Sequence, residues 1–208
     1  MKKDKLLRFK VIPVELPISA LTLTWPTNCV VVWRNDTAVV VDPGGDAEKI
    51  VRFLQRRKLG VGSYWFTHAH PDHVGGLTRL LEAYPAPVRY HRADERWMKF
   101  GNPILRFRKS DWFVPFGNVR TLACGDVVVK VVTTPGHSRG SVCYWFDEAG
   151  VLLSGDTLMR DCVGATGYPG GDSLKLEKSL RKIFNCIPVD AKVLPGHGAC
   201  TTIGAECS

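Results

Sequence analysis

Apolar residues in this chain fall into short unbroken runs and into spaced sets, and the two kinds alternate. In "NCVVVWRNDTAVVVDPGG" two Val-rich runs flank an Asn-Asp pair. That predicts a hairpin with strands at Val30–Trp33 and Ala38–Val41 and a turn at Asn35-Asp36. From Asp46 to about Lys58, Ile50, Val51, Phe53 and Leu54 recur among basic neighbours, as on a surface helix. "SYWFT" (63–67) reads as a buried strand. Leu77, Leu80 and Leu81 carry helical spacing that Pro85 closes, "APVRY" (86–90) reads as a strand, and Ala93–Phe100 as a helix. Residues 126–134, 141–146 and 150–156 are three further strands separated by turn residues. Leu174–Asn185 is a helix, and "AKVLPGHG" (191–198) begins as a strand. No repeat or low-complexity linker interrupts this order, which predicts two sheets with helices outside them in one domain spanning 1–208.

Composition adds little to that picture. The 208 residues suffice for one sizeable core, and 45% hydrophobic with 23% charged residues is ordinary for a globular protein. No apolar run approaches the roughly 20 residues that span a bilayer. Glu15 and prolines interrupt the lysine-bearing start, so no signal peptide is expected and the protein is read as cytoplasmic, with no membrane partner. Seven cysteines without a C-x-x-C pair argue against a disulfide framework and predict mostly buried, reduced thiols. The net charge of +8 sits partly on two predicted helices, at Lys49, Arg52, Arg56, Arg57 and Lys58 and at Lys175, Lys178, Arg181 and Lys182, as solvated faces. A basic cluster, Arg106, Arg108 and Lys109 beside Phe107 and Trp112, offers a place for an anionic small substrate. As a nucleic-acid signal it is weak, and nucleic acid is not the expected partner.

The chemistry concentrates in "FTHAHPDHVGG", where three of six histidines and Asp72 fall within six residues. His68 and His70, two apart in extended chain, point to one side and converge. Pro71 ends the strand and opens a helix, so Asp72 and His73 aim at a second point nearby. His137, Asp156 and His197 each follow a glycine just past a predicted strand, at the rim where binding chemistry gathers in layered folds. Buried polar groups need partners, and metal coordination satisfies all of these at once. Isolated His91 is expected to be structural. "GDSL" (171–174) has no free histidine for a Ser-His-Asp set, and no phosphate-binding loop is present.

These residues resemble the metallo-β-lactamase superfamily. "HAHPDH" fits its H-x-H-x-D-H signature, and His137, Asp156 and His197 match its remaining ligands in order. "VDPGG" (41–45), "TTPGHSRGSV" (133–142), "LLSGDTL" (152–158) and "VLPGHG" (193–198) are similar to its other motifs. The resemblance implies an α/β fold, the αβ/βα sandwich of two mixed β-sheets with helices on the outer faces and metals at one end. His68, His70 and His137 would form one metal site and Asp72, His73 and His197 the other, with Asp156 bridging, a carboxylate that true β-lactamases lack there. The cofactors implied are two divalent ions, zinc first, with iron or manganese as alternatives.

Within the superfamily the chain is most similar to the glyoxalase II branch, the hydroxyacylglutathione hydrolases, in its short bacterial form. "YPGGD" (168–172) matches part of that branch's G-R-T-D-F-P-G-G-D stretch. The chain departs from it at Ala165 in place of arginine and Gly167 in place of aspartate, and carries Arg139 where a proline is typical. The chain ends eleven residues after His197, so the branch's glutathione-gripping C-terminal helical domain is expected to be missing. The implied reaction is hydrolysis of a thioester, such as S-lactoylglutathione, by metal-bound hydroxide that Asp72 orients and deprotonates. Arg139 and Tyr168 are the candidate substrate contacts. Alternatives are a persulfide dioxygenase with one iron on His68, His137 and Asp156, and a hydrolase of lactones or other esters at the same site.

Overall fold

In the computed structural model, which describes residues 6–16, 26–99 and 112–207, every predicted strand forms and three unpredicted ones join them. The first sheet contains β1 (Arg8–Val14), β2 (Thr27–Arg34), β3 (Thr37–Val41), β4 (Gly60–Trp65) and β5 (Val88–Arg89), in that order across the sheet. β1, β2 and β3 pair antiparallel and β3, β4 and β5 parallel, so the sheet is mixed. Helix α1 (Ala47–Arg57) crosses from β3 to β4, and α2 (Pro71–Val74) and α3 (Leu77–Ala83) lie between β4 and β5. After β5 the expected helix at Ala93–Phe100 is shorter, α4 (Glu95–Lys99), because Arg92–Asp94 winds as a 3-10 turn capped by His91; Phe100 lies outside the described residues.

The second sheet contains β6 (Thr121–Cys124), β7 (Val127–Thr133), β8 (Val142–Phe146), β9 (Val151–Gly155), β10 (Lys192–Pro195) and β11 (Thr201–Thr202). Its order is β11-β10-β9-β8-β7-β6, antiparallel except for β9 with β10, which α5 (Ser173–Cys186) connects in parallel. The short α6 (Ile203–Glu206) follows β11. β6 and β11 escape sequence reading because they are too short to show a period, and β1 because Pro13 interrupts its run.

Two-residue alternation explains the layers. Val30, Val32, Val39, Val41 and Trp65 face Val129, Val131, Tyr144, Leu153 and Leu194 between the sheets. The intervening residues Val31, Ala38, Val40 and Tyr64 pack outward on Ile50, Leu54, Leu77 and Leu80 of α1 and α3. On the other side, Cys143, Trp145, Leu152 and Val193 meet Ile183 of α5 and Ile203 of α6. This is the expected αβ/βα sandwich, and both strand faces are apolar because both are covered. Removing the fully buried Trp65 ring to Ala would cost about 3–5 kcal/mol. At one end the sheets are laced by hydrogen bonds: Tyr144 Oη donates to Phe66 O at 2.7 Å and Val142 N to Thr67 O at 2.8 Å.

The burial expected of the cysteines holds only in part. All seven cysteines are free, as expected, but only Cys29 and Cys143 are buried, while Cys162, Cys186, Cys200 and Cys207 are exposed because they lie in loops and at helix ends. The cluster Arg106, Phe107, Arg108 and Lys109 lies outside the described residues. The basic residues of α1 and α5 are exposed, as solvated faces. Among the described residues no helix is long and apolar enough to cross a membrane.

Candidate metal centre

Four strand ends deliver the donors to one end of the sandwich. His68 follows β4 of the first sheet; His137, Asp156 and His197 follow β7, β9 and β10 of the second. Pro71 is the first residue of α2 with His70 extended before it, so the chain turns between His70 and Asp72 as its sequence predicts. Glycines permit the crowding. A Cβ on Gly196 would lie 2.1 Å from Asp156 Oδ1 and 2.8 Å from His73 Cε1, so only glycine fits beside the carboxylate.

All seven expected donors come together. His70 Nδ1 is 3.1 Å from His68 Nε2 and 2.9 Å from His137 Nε2. His197 Nε2 is 3.3 Å from His73 Nε2 and 3.2 Å from Asp72 Oδ2. Asp156 lies between the two sets: Oδ2 is 3.5 Å from His137 Nε2 and 3.4 Å from His197 Nε2, and Oδ1 is 3.3 Å from His73 Nε2. The donor atoms of His68, His70 and His137, and those of Asp72, His73 and His197, each lie within 4.8 Å of one another, as do those of His68, His73 and Asp156. Ligands about 2.0–2.1 Å from a tetrahedral zinc stand roughly 3.3 Å apart.

The hydrogen bonds behind the rings fix which nitrogen faces inward. His137 Nδ1 is 2.7 Å from Ala165 O and His197 Nδ1 is 3.2 Å from Pro26 O. A carbonyl only accepts, so each Nδ1 carries a proton and each Nε2 is the atom that faces the centre. His68 Nδ1 meets Thr67 Oγ1 at 3.1 Å; that hydroxyl donates to Asp42 Oδ2 at 2.6 Å, so it accepts from the ring. His73 Nδ1 is 3.1 Å from the same Asp42 oxygen. Buried Asp156 Oδ1 receives no hydrogen bond of proper geometry. Imidazole nitrogens and carboxylate oxygens thus converge on one place, the donor set that suits divalent cations.

The same groups divide by protonation. Burial, then neighbouring imidazoles, push His68 well below the ordinary histidine value and His70 down to about 4; burial also lowers His137. Burial works against charge on His73 and His197, but Asp156 and Asp72 prevail, raising His73 well above its usual value and His197 to about 9. Burial likewise opposes ionisation of Asp72 and Asp156, but His73 and His197 outweigh it, holding Asp72 at about 2 and Asp156 well below the carboxylate range. Three imidazoles are ready as neutral ligands; two hold protons that a cation would replace.

Three supporting residues went unread in the sequence. Asp42 lies in the noted "VDPGG" and accepts from Thr67 N at 2.8 Å as well as from its hydroxyl. Asp94, 2% exposed, accepts from Ala69 N (3.2 Å), Ser138 Oγ (2.7 Å) and Gly140 N (2.7 Å). Asn28 holds the His197 loop through its amide. Only Asp42 had a sequence signal, its place in a motif. Residues Gly136–Gly140 spell G-x-S-x-G, the spacing of a nucleophile elbow. Ser138, however, is buried and bonded to Asp94 and Ser141, with no histidine on its hydroxyl, so it is no nucleophile.

Around the mouth, the Trp97 and Tyr168 rings stand edge-on to His70 at 6.1 and 5.6 Å. Tyr168 is 59% exposed. Arg139 is exposed, forms no ion pair with any described residue, and runs its stem along the turn at Gly170, two residues from Tyr168. His91 stands apart from the donors, its ring against Phe116.

The sequence pattern of the Metallo-beta-lactamase superfamily matches residues 23–197. The chain belongs to that superfamily. Among metallo-beta-lactamase superfamily members, hydroxyacylglutathione hydrolase GloC of Haemophilus influenzae is 28% identical over 202 residues, 92% of each protein. A crystal structure of BLEG-1, described as a B3 metallo-beta-lactamase, is 34% identical with a TM-score of 0.81, covering 96% of both chains. That of TTHA1623, described as a di-iron-bound form, is 30% identical with a TM-score of 0.76, covering 91% of this chain and 97% of that one. The metallo-beta-lactamase superfamily binds divalent metals, and the histidine and aspartate cluster described above lies within the matched region.

Proposed function

We propose that this protein is a dinuclear metallohydrolase of glyoxalase II type that cleaves a thioester, such as S-lactoylglutathione or another hydroxyacyl thioester. The observation that carries this reading is Asp156, its two oxygens standing between the two sets of inward-facing donors. His68, His70 and His137 would hold one cation, Asp72, His73 and His197 the other, and Asp156 both. Zinc suits the imidazole-rich set best, and the di-iron form of TTHA1623 supports iron as the alternative. Cations bound there would act as Lewis acids and lower the pKa of water from about 15.7 to about 7.

The chain's own residues do the rest. Asp72, ionised at neutral pH and with its side chain 30% exposed toward solvent, orients the attacking water and accepts its proton. Arg139 would hold a substrate carboxylate by a two-pronged hydrogen bond, and the Tyr168 hydroxyl would donate to the acyl portion. A thiolate leaves readily, its acid having a pKa near about 8.5, so no dedicated acid is required. Similarity to GloC and the "YPGGD" stretch support the thioester.

A second reading, β-lactam hydrolysis at the same donors, draws on the similarity to BLEG-1. The Asp156 carboxylate favours the thioester. Metal-loaded protein assayed on hydroxyacyl thioesters, lactones and β-lactams, with oxygen uptake on persulfide recorded, separates the readings. Turnover of thioesters at least about 100-fold faster than the rest is expected. Preference for a β-lactam, or oxygen consumption with one iron per chain, overturns it.

A further inference from the structure

Beyond the donors, two buried polar side chains grip backbone on opposite sides of the cluster, and they share no partner. Asn28, near the start of β2 in the first sheet, is 8% exposed. Its Nδ2 donates to Pro195 O at 3.1 Å and to Gly198 O at 2.8 Å, the carbonyls on either side of the Gly196-His197 pair. Both partners are carbonyl oxygens, so the amide nitrogen is the atom that faces them. Asn28 N also donates to Gly196 O at 2.7 Å, and the neighbouring Pro26 O takes the His197 Nδ1 proton. Residues 26–28, at the start of β2 in one sheet, thus hold the loop that carries His197 on the other.

Asp94 does the equivalent work on the far side. Its carboxylate takes Ala69 N, the peptide between His68 and His70, and also Ser138 Oγ and Gly140 N, which follow His137. A Cβ on Gly140 would fall 2.7 Å from Asp94 Cγ, so that loop closes directly on the carboxylate. The hydrogen bonds of Asn28 and Asp94 go to backbone and to Ser138, not to a donor ring, and neither residue belongs to any of the three donor groups.

We propose that Asn28 and Asp94 are separate positioning residues for the two halves of the cluster, Asn28 setting the cation affinity of the Asp72/His73/His197 half and Asp94 that of the His68/His70/His137 half. The proposal rests on the dinuclear reading above. Outer partners that orient ligands typically govern about 10–100-fold in metal affinity. Asn28 and Asp94 have no hydrogen-bond partner in common, so each acts chiefly on its own half, Asp156 being the donor the halves share.

The test is zinc binding to the full chain, followed by competition with a chromophoric chelator, with His70→Ala and His197→Ala showing which binding step belongs to which half. Asn28→Ala is expected to weaken the His197 step at least about 10-fold and leave the other within about twofold; Asp94→Ala is expected to do the reverse. Asn28→Asp, which keeps the shape and removes both N–H donors, should repeat the Asn28→Ala result. Equal weakening of both steps, no weakening of either, or loss of fold by circular dichroism in both Asn28 variants overturns the proposal. A wild-type chain that binds no zinc overturns the dinuclear reading itself, a distinct outcome.

Discussion

His137 Nε2 lies 2.9 Å from His70 Nδ1, although 67 residues separate them in the chain. The Ala165 carbonyl holds the other nitrogen of His137, so the nitrogen facing His70 carries a lone pair. Because the contact at Ala165 is made by backbone, alanine serves there where relatives of the glyoxalase II type carry arginine. His70→Ala and His137→Ala should each bind one zinc fewer, and activity should fall at least about 100-fold, the scale of losing one electrostatic stabiliser. Elemental analysis beside a thioesterase assay checks both.

Proton release should tell the two halves apart. His70 stays neutral down to about 4, so its half binds a cation at pH 7 without releasing protons. His197, pushed up to about 9, and His73 must give theirs up, between about one and two protons in all. Affinity of that half should therefore rise with pH up to about 9. In metal-free protein the raised His197 stabilises the fold fully below about pH 6.5, and that contribution is lost as pH rises through about 9. Calorimetry in buffers of different ionisation enthalpy measures the release.

Asp42→Ala strands two buried donors, Thr67 N and Thr67 Oγ1, and frees the His73 ring. At about 1–3 kcal/mol for each unsatisfied donor, unfolding free energy should drop by about 2–6 kcal/mol. Denaturant unfolding followed by tryptophan fluorescence gives the value.

Much of this centre was legible from residue spacing. Three histidines and an aspartate within six residues announce a metal site, and strand-ending glycines before His137, Asp156 and His197 placed the rest at one rim. Val-rich runs gave the layers because both faces of those strands are covered. β1 went unread because Pro13 falls inside its run, and a proline there reads as a break in a strand. Asn28 and Asp94 went unread for a different reason. Each acts through backbone hydrogen bonds, spanning 170 residues for Asn28 with Gly198 and 46 for Asp94 with Gly140, and such contacts impose no local pattern.

Two glycines give opposite expectations. Gly196→Ala drives a methyl group against Asp156 Oδ1 and should abolish binding of both cations. Gly167→Ala meets open space at ordinary backbone angles and should change stability by less than about 0.5 kcal/mol.

Arg139→Ala should raise KM for a carboxylate-bearing thioester about 10-fold or more, the scale of a charge-assisted hydrogen bond, and leave a neutral thioester unaffected. Steady-state kinetics on the matched pair decides whether the exposed guanidinium reads substrate charge.

The most direct test is anomalous diffraction at the zinc absorption edge from crystals of the zinc-loaded protein. Two peaks about 3.5–4 Å apart are predicted, one among His68, His70 and His137 and one among Asp72, His73 and His197, with the Asp156 carboxylate between them. A zinc-loaded crystal with no anomalous peak among these residues would contradict the account.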